Sequence, residues 1–204
     1  MPVAVVVLGA LAQIVAWSLV ARGRGSVWST VAPVLVAAGA TAVAVAPPPL
    51  SGRVDAGVAA GVGLATGVAL YAATAAFVAV VGSRWRAFGR DAVAIYHSRA
   101  GRAGTPVVVG ACVVAVAEEL FWRGTAQHEA SVRVGSALAA GVTLAAYVAA
   151  NVSSRNLAIV AGAIVGGAVW GALAWWSAGV LASVLAHATW TASMLARPVA
   201  GSAR

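Results

Sequence analysis

A chain of 204 residues that is 62% hydrophobic and 9% charged, with a mean hydropathy of +0.94, lies outside the composition of soluble domains and points to a bilayer. Its net charge of +8 comes from thirteen arginines and no lysine against five acids. Those arginines sit between apolar runs rather than in one basic patch, which argues for membrane lipid as partner and against nucleic acid.

In chain order, the uncharged runs 1–21, 25–52, 56–83, 134–154 and 156–196 are each long enough for a span of ~20 residues, and the last holds two. The run 103–117 is uncharged over too few residues to cross ~30 Å of hydrocarbon, so a span there continues through Glu118 and Glu119. The expected spans are 2–21, 28–46, 57–81, 107–127, 134–153, 157–175 and 178–196. They are helical because backbone in lipid has to satisfy its own hydrogen bonds. The fold class is therefore all-α, a polytopic integral-membrane bundle of about seven transmembrane helices.

The first run lacks the basic start of a secretory signal and reads as a retained helix. "PPPLSG" at 47–52 is a turn between spans. The stretch 82–106 mixes arginines with Trp85, Phe88, Ile95 and Tyr96; it suits either a short helix in the membrane interface or a cytoplasmic loop. Glycines one turn apart, at Gly57/Gly61, Gly63/Gly67, Gly162/Gly166 and Gly167/Gly171, favour close helix packing within the chain over dimerisation. Trp28, Trp85, Trp175 and Trp176 fall near span ends, as interfacial anchors do. The single cysteine, Cys112, permits no internal disulfide and reads as a buried apolar residue.

With seven spans, Arg22, Arg24, Arg84, Arg86, Arg90, Arg99, Arg102, Arg155, Arg197 and Arg204 fall on one side. Arg53 and Arg133 fall on the other. The positive-inside rule then puts the chain in the cell membrane with the amino terminus outside and the carboxyl terminus in the cytoplasm.

The polar residues left inside spans are Glu118, Glu119, Arg123, Asn151, His187 and Thr191. A charge at mid-bilayer costs ~2.5–3.5 kcal/mol even on lenient insertion scales, so such residues are by default partnered or functional. Glu119 and Arg123 are four apart and share a helix face, where they can form an ion pair. Glu118 is turned ~100° away and is left for water or a metal ion. The competing reading has both glutamates only neutralising Arg123. On span five Tyr147 and Asn151 are one turn apart, and on the last span His187 and Thr191 repeat that spacing. Alone, His187 would pass as a hydrogen-bonded structural group and Asn151 as glue between helices. His97 and His128 lie in or beside loops with no evident partner.

Together these residues resemble the CAAX-processing and bacteriocin-processing family (CPBP, or Abi) of intramembrane peptidases. "EELFWR" matches its EExxxR signature, "YVAAN" stands where an aromatic-xxx-His motif is found, and "HATWT" where a His-xxx-Asn motif is found. The resemblance covers about 106–196. It divides a single structural domain into amino-terminal helices with a basic loop (1–105), a CPBP-like core (106–196) and a tail (197–204).

The resemblance implies an intramembrane endopeptidase in which Glu118 activates water against a peptide bond of a membrane-associated substrate. It further implies that His187 polarises the carbonyl, that Asn151 donates to the oxyanion, and that Glu119, Arg123, Tyr147 and Thr191 give support. Asn151 replaces the family's histidine and Thr191 its asparagine. These departures also allow a catalytically impaired relative acting as a peptide-binding or immunity membrane protein. The metal is left open: zinc or another divalent ion would have Glu118 and His187 as candidate ligands, with Asn151 a poor third. No HExxH pair is present, which argues against a conventional zincin. A small transporter or channel subunit would also carry intramembrane charges but does not predict the order of the three motifs.

Overall fold

The computed structural model describes residues 2–97 and 104–199, and among them every regular element is helical. The elements are α1 (Pro2–Ala21), a π-helical turn (Val27–Val31) leading into α2 (Ala32–Val45), α3 (Ala56–Arg84) and α4 (Arg86–His97). After them come α5 (Thr105–Glu119), a second π-helical segment (Leu120–Gln127) that runs into α6 (His128–Val134), α7 (Ser136–Val152), α8 (Leu157–Ser177) and α9 (Leu181–Ala196). Among the described residues, five helical stretches are long and apolar enough to cross a membrane: 2–21, 27–45, 56–82, 105–134 and 157–177. α7 and α9 are apolar but shorter. The expected spans over 134–153 and 178–196 are trimmed at their starts by local backbone conformation. Gly135 takes φ 83°, and Ala178 takes φ 50° in the turn before α9. The span expected to stop at 127 instead continues through the π-helical segment to Val134.

The basic stretch 86–97 is a helix. Its Phe88 and Ala92 are buried against Val78, Val81, Ala158 and Ala161, while Arg84 and Arg86 stay exposed. Arg99, Arg102 and Arg204, and the side chains of Ile95, Tyr96 and His97, lie outside the described residues. Asp91 ties α4 to the start of α8: its carboxylate accepts from Leu157 N–H at 2.7 Å, and its backbone oxygen accepts from Asn156 Nδ2 at 3.1 Å. At the opposite end of the bundle the proline-rich turn forms a backbone seam with the α8–α9 turn. Gly52 and Arg53 N–H donate to Ser177 O, and Val180 and Leu181 N–H donate to Pro49 O and Leu50 O, at 2.9–3.1 Å. A proline-rich segment suits this place because its carbonyls accept while the missing N–H groups leave nothing to satisfy.

Small residues set the helix spacing, as they must where lipid supplies no hydrophobic drive for helix association. A Cβ at Gly63 or Gly67 would come within 2.6 Å of Ala182 O or Ala186 O, so α3 lies backbone to backbone against α9. This approach positions the helix that carries His187. It is the intramolecular packing expected of Gly63/Gly67, whereas Gly61 faces open space.

Candidate active site

The π-helical segment begins directly after Glu119. Seven consecutive residues, Phe121 to Gln127, are buried in it, so the backbone here is enclosed on all sides. Wide π turns recur at functional sites because they redirect side chains that an α-helix would spread evenly around its axis. Here they direct Trp122, Arg123 and Gln127 into the bundle together with the glutamates of the preceding turn.

Glu119 is fully buried, and its Oε1 accepts from Arg123 Nη1 at 3.3 Å and lies 3.0 Å from His187 Nδ1. Arg123 is further held by Gly167 O, 3.1 Å from Nη2, and its guanidinium carbon lies 4.6 Å from the centre of the Tyr147 ring. Gly167 permits that approach, since a Cβ there would sit 2.8 Å from Tyr147. One turn on, Gly171 O accepts from Gln127 Nε2 at 3.0 Å, so the Gly167/Gly171 pair serves helix packing and also exposes carbonyls to two buried donors. His187 is stacked on Trp170, with ring centres 3.6 Å apart and planes 13° apart, which fixes the imidazole plane.

Glu118, also buried, points elsewhere. Its Oε1 lies 3.5 Å from Gln13 Nε2 on α1, and the Tyr147 phenol of α7 is turned toward it. Glu118 is still within charge–charge range of His187, Glu119 and Arg123. Thus Glu118, Glu119, Arg123, Tyr147 and His187 form one buried cluster drawn from α5, the π-helical segment, α7 and α9, with Trp170 of α8 behind it.

Asn151 is buried one turn beyond Tyr147, and its Nδ2 donates to Tyr147 O at 2.9 Å within its own helix. Among the described residues no hydrogen bond joins it to Glu118 or His187. Thr191 is half-buried on α9 one turn past His187. The sequence placed His187 with Glu118; in the structure its Nδ1 is bonded to Glu119, because the packing of α9 against α3 and α5 turns the ring toward that carboxylate. Gln13 was not singled out. Its signal in the sequence is an amide in an apolar helix whose only other hydrogen-bonding side chains are Trp17 and Ser18.

His128 lines a cavity of about 120 Å³ together with Arg53, Arg123, Gln127, Ser131 and Trp175, at the end of the bundle closed by the proline-rich seam. The space is large enough for several waters. It reaches the cluster at Arg123.

The side chains present do not fit a divalent metal. Among the described residues no group of three His, Cys, Asp or Glu side chains is disposed to hold one. His187 Nδ1 and Glu119 Oε1 are engaged with each other, and the Arg123 guanidinium occupies the place next to them.

Residues 103–193 match a family model described as type II CAAX prenyl endopeptidase Rce1-like. That segment is similar to the Rce1-like family. It contains the glutamate pair, Arg123, Tyr147, Asn151, His187 and Thr191, and it leaves out α1 to α4. No curated protein and no solved structure matches the chain.

Proposed function

We propose that the chain is a CAAX-type intramembrane endopeptidase that cleaves a peptide bond of a membrane-associated substrate, with Glu118 as the base that activates water. One observation carries this reading: inside the Rce1-like segment, Glu118, Tyr147 and His187 from three helices meet in a single buried cluster whose second carboxylate is already neutralised.

Each group then has a defined task. Water attacks the scissile carbonyl carbon while Glu118 takes its proton, and the carbonyl oxygen becomes an oxyanion. Glu119 accepts a hydrogen bond from His187 Nδ1–H, and with a proton on each ring nitrogen Nε2–H donates to the oxyanion. The Trp170 stack holds the ring edge in that direction. Collapse of the intermediate breaks the C–N bond, and the proton held by Glu118 passes to the leaving nitrogen. Arg123 anchors Glu119, and Tyr147 orients Glu118. Asn151 would add a second oxyanion donor after releasing Tyr147 O. The same reading puts the chain in the cell membrane, amino terminus outside, with the arginine-rich end of the bundle in the cytoplasm.

A second reading, a catalytically impaired relative that binds a peptide without cutting it, is favoured by the engagement of Asn151 within its own helix. The two separate on cleavage of membrane-anchored peptides, prenylated carboxyl termini among them, by the wild type, Glu118→Gln and His187→Ala. The endopeptidase reading expects product from the wild type alone, unchanged by a strong chelator. Equal product from all three proteins would sink it. Peptide crosslinking without product would favour the binding protein.

A further inference from the structure

Gln13 is buried to 1% exposure in the middle of α1, outside the Rce1-like segment and 105 residues from its carboxylate neighbour. An amide buried in an apolar environment without partners costs ~1–3 kcal/mol, so a glutamine here is held by what it bonds. Both ends of its amide are engaged. Oε1 accepts from Trp122 Nε1 at 3.0 Å, and Nε2 faces Glu118 Oε1 at 3.5 Å.

The direction of that amide follows from its neighbours. The indole N–H is a donor only and demands the oxygen end of the amide. The nitrogen end must then face the opposite way, toward Glu118. A carboxylate accepts from this NH₂, so the two contacts agree on one orientation, and the reverse flip would set donor against donor and oxygen against carboxylate. Trp122 is itself held edge-on between Phe121 and Tyr147, at ring-centre distances of 5.1 and 5.5 Å. The relay therefore runs from a fixed indole through the amide to the carboxylate. A separation of 3.5 Å is long for a hydrogen bond in the resting state, and such contacts tighten when the reacting complex forms.

We infer that Gln13 is a positioning residue for Glu118, with the Trp122 indole fixing its amide so that the NH₂ group holds one carboxylate oxygen and leaves the other for water. The inference rests on the reading of Glu118 as the base. It makes α1 part of the site.

The test is chosen to tell failure of this contact from failure of that reading. The full chain is labelled with carbon-13 glutamate and reconstituted in bilayers, and the carboxylate infrared bands are recorded. With only Glu118, Glu119 and Glu129 labelled, the Glu118 band is the one lost in Glu118→Gln. In Gln13→Met, which keeps length and removes the amide, that band is expected to shift, with kcat falling about tenfold and KM staying within about twofold. Should Gln13→Met not fold, Trp122→Phe frees the amide to rotate and is expected to shift the same band in the same direction. An unmoved Glu118 band in the folded variant overturns the inference, and so does a shifted band with unchanged kcat. Wild-type cleavage by Glu118→Gln would instead remove the role of Glu118 in catalysis, while the band still reports whether Gln13 holds it.

Discussion

Glu118 and Glu119 are adjacent in the chain and differ in the charge of the groups they meet, although Glu119 Oε2 is buried without a hydrogen-bond partner among the described residues. Glu119 Oε1 is shared between a guanidinium and an imidazole, and Arg123 is in turn held by Gly167 O and the Tyr147 ring. Glu118 has one long amide contact and a phenol turned toward it. A membrane interior tolerates the first arrangement as structure because charge meets charge. It tolerates the second only beside that neutralised neighbour, and on the proposed reading one glutamate supports the site while the other is left for chemistry.

The largest effect expected from this contrast is on folding. Glu119→Ala leaves Arg123 buried without its counter-charge and should cost about 3–5 kcal/mol, read as denaturant or thermal unfolding in micelles. A loss under about 1 kcal/mol would break the comparison, since that is the scale of an ordinary hydrogen bond. Glu118→Gln should do the reverse, lowering cleavage ~10²–10⁴-fold while leaving unfolding within about 1 kcal/mol of the wild type. A variant that loses both together would make the two glutamates equivalent.

Smaller effects sharpen the contrast from the scaffold side. Gly67→Leu forces a side chain against Ala186 O and Thr189, so it should cost about 1–3 kcal/mol and lower cleavage by displacing His187. Gly61→Leu, which meets open space, should stay within about 0.5 kcal/mol. Equal losses from both would mean that α3 does not locate α9. On the catalytic side, Asn151→Ala should lower kcat by no more than about thirtyfold, because a hydrogen bond to an oxyanion is worth about 1.5–3 kcal/mol and releasing Tyr147 O offsets about 1 kcal/mol of it.

What the sequence disclosed and what it withheld follow from the range of the interactions. Spans were legible because uncharged runs of fixed length have few alternatives in lipid. The Glu119–Arg123 pair was legible because four residues along a helix is a local distance. The partner of His187 was not. Two adjacent glutamates differ by a rotation of the helix, and which of them His187 meets depends on how Gly63 and Gly67 seat α9 and on the π-helical turns that follow Glu119. Gln13 was missed for the same reason: nothing within α1 hints at a carboxylate 105 residues away. Asn151 fell on the expected span, but its amide closes on Tyr147 O within α7, which only coordinates reveal.

The seam between the 49–53 backbone and the 177–181 turn bears on how the chain can be handled. Four main-chain bonds fasten this connection, and Gly179 lies against Leu50 with no space for a Cβ, so a tag spliced in there would pry the bundle open. Gly135, at the neighbouring turn of the same end, meets nothing within 4 Å. An epitope inserted at that turn should leave the fold intact and report, by antibody access in whole cells, which way the protein sits.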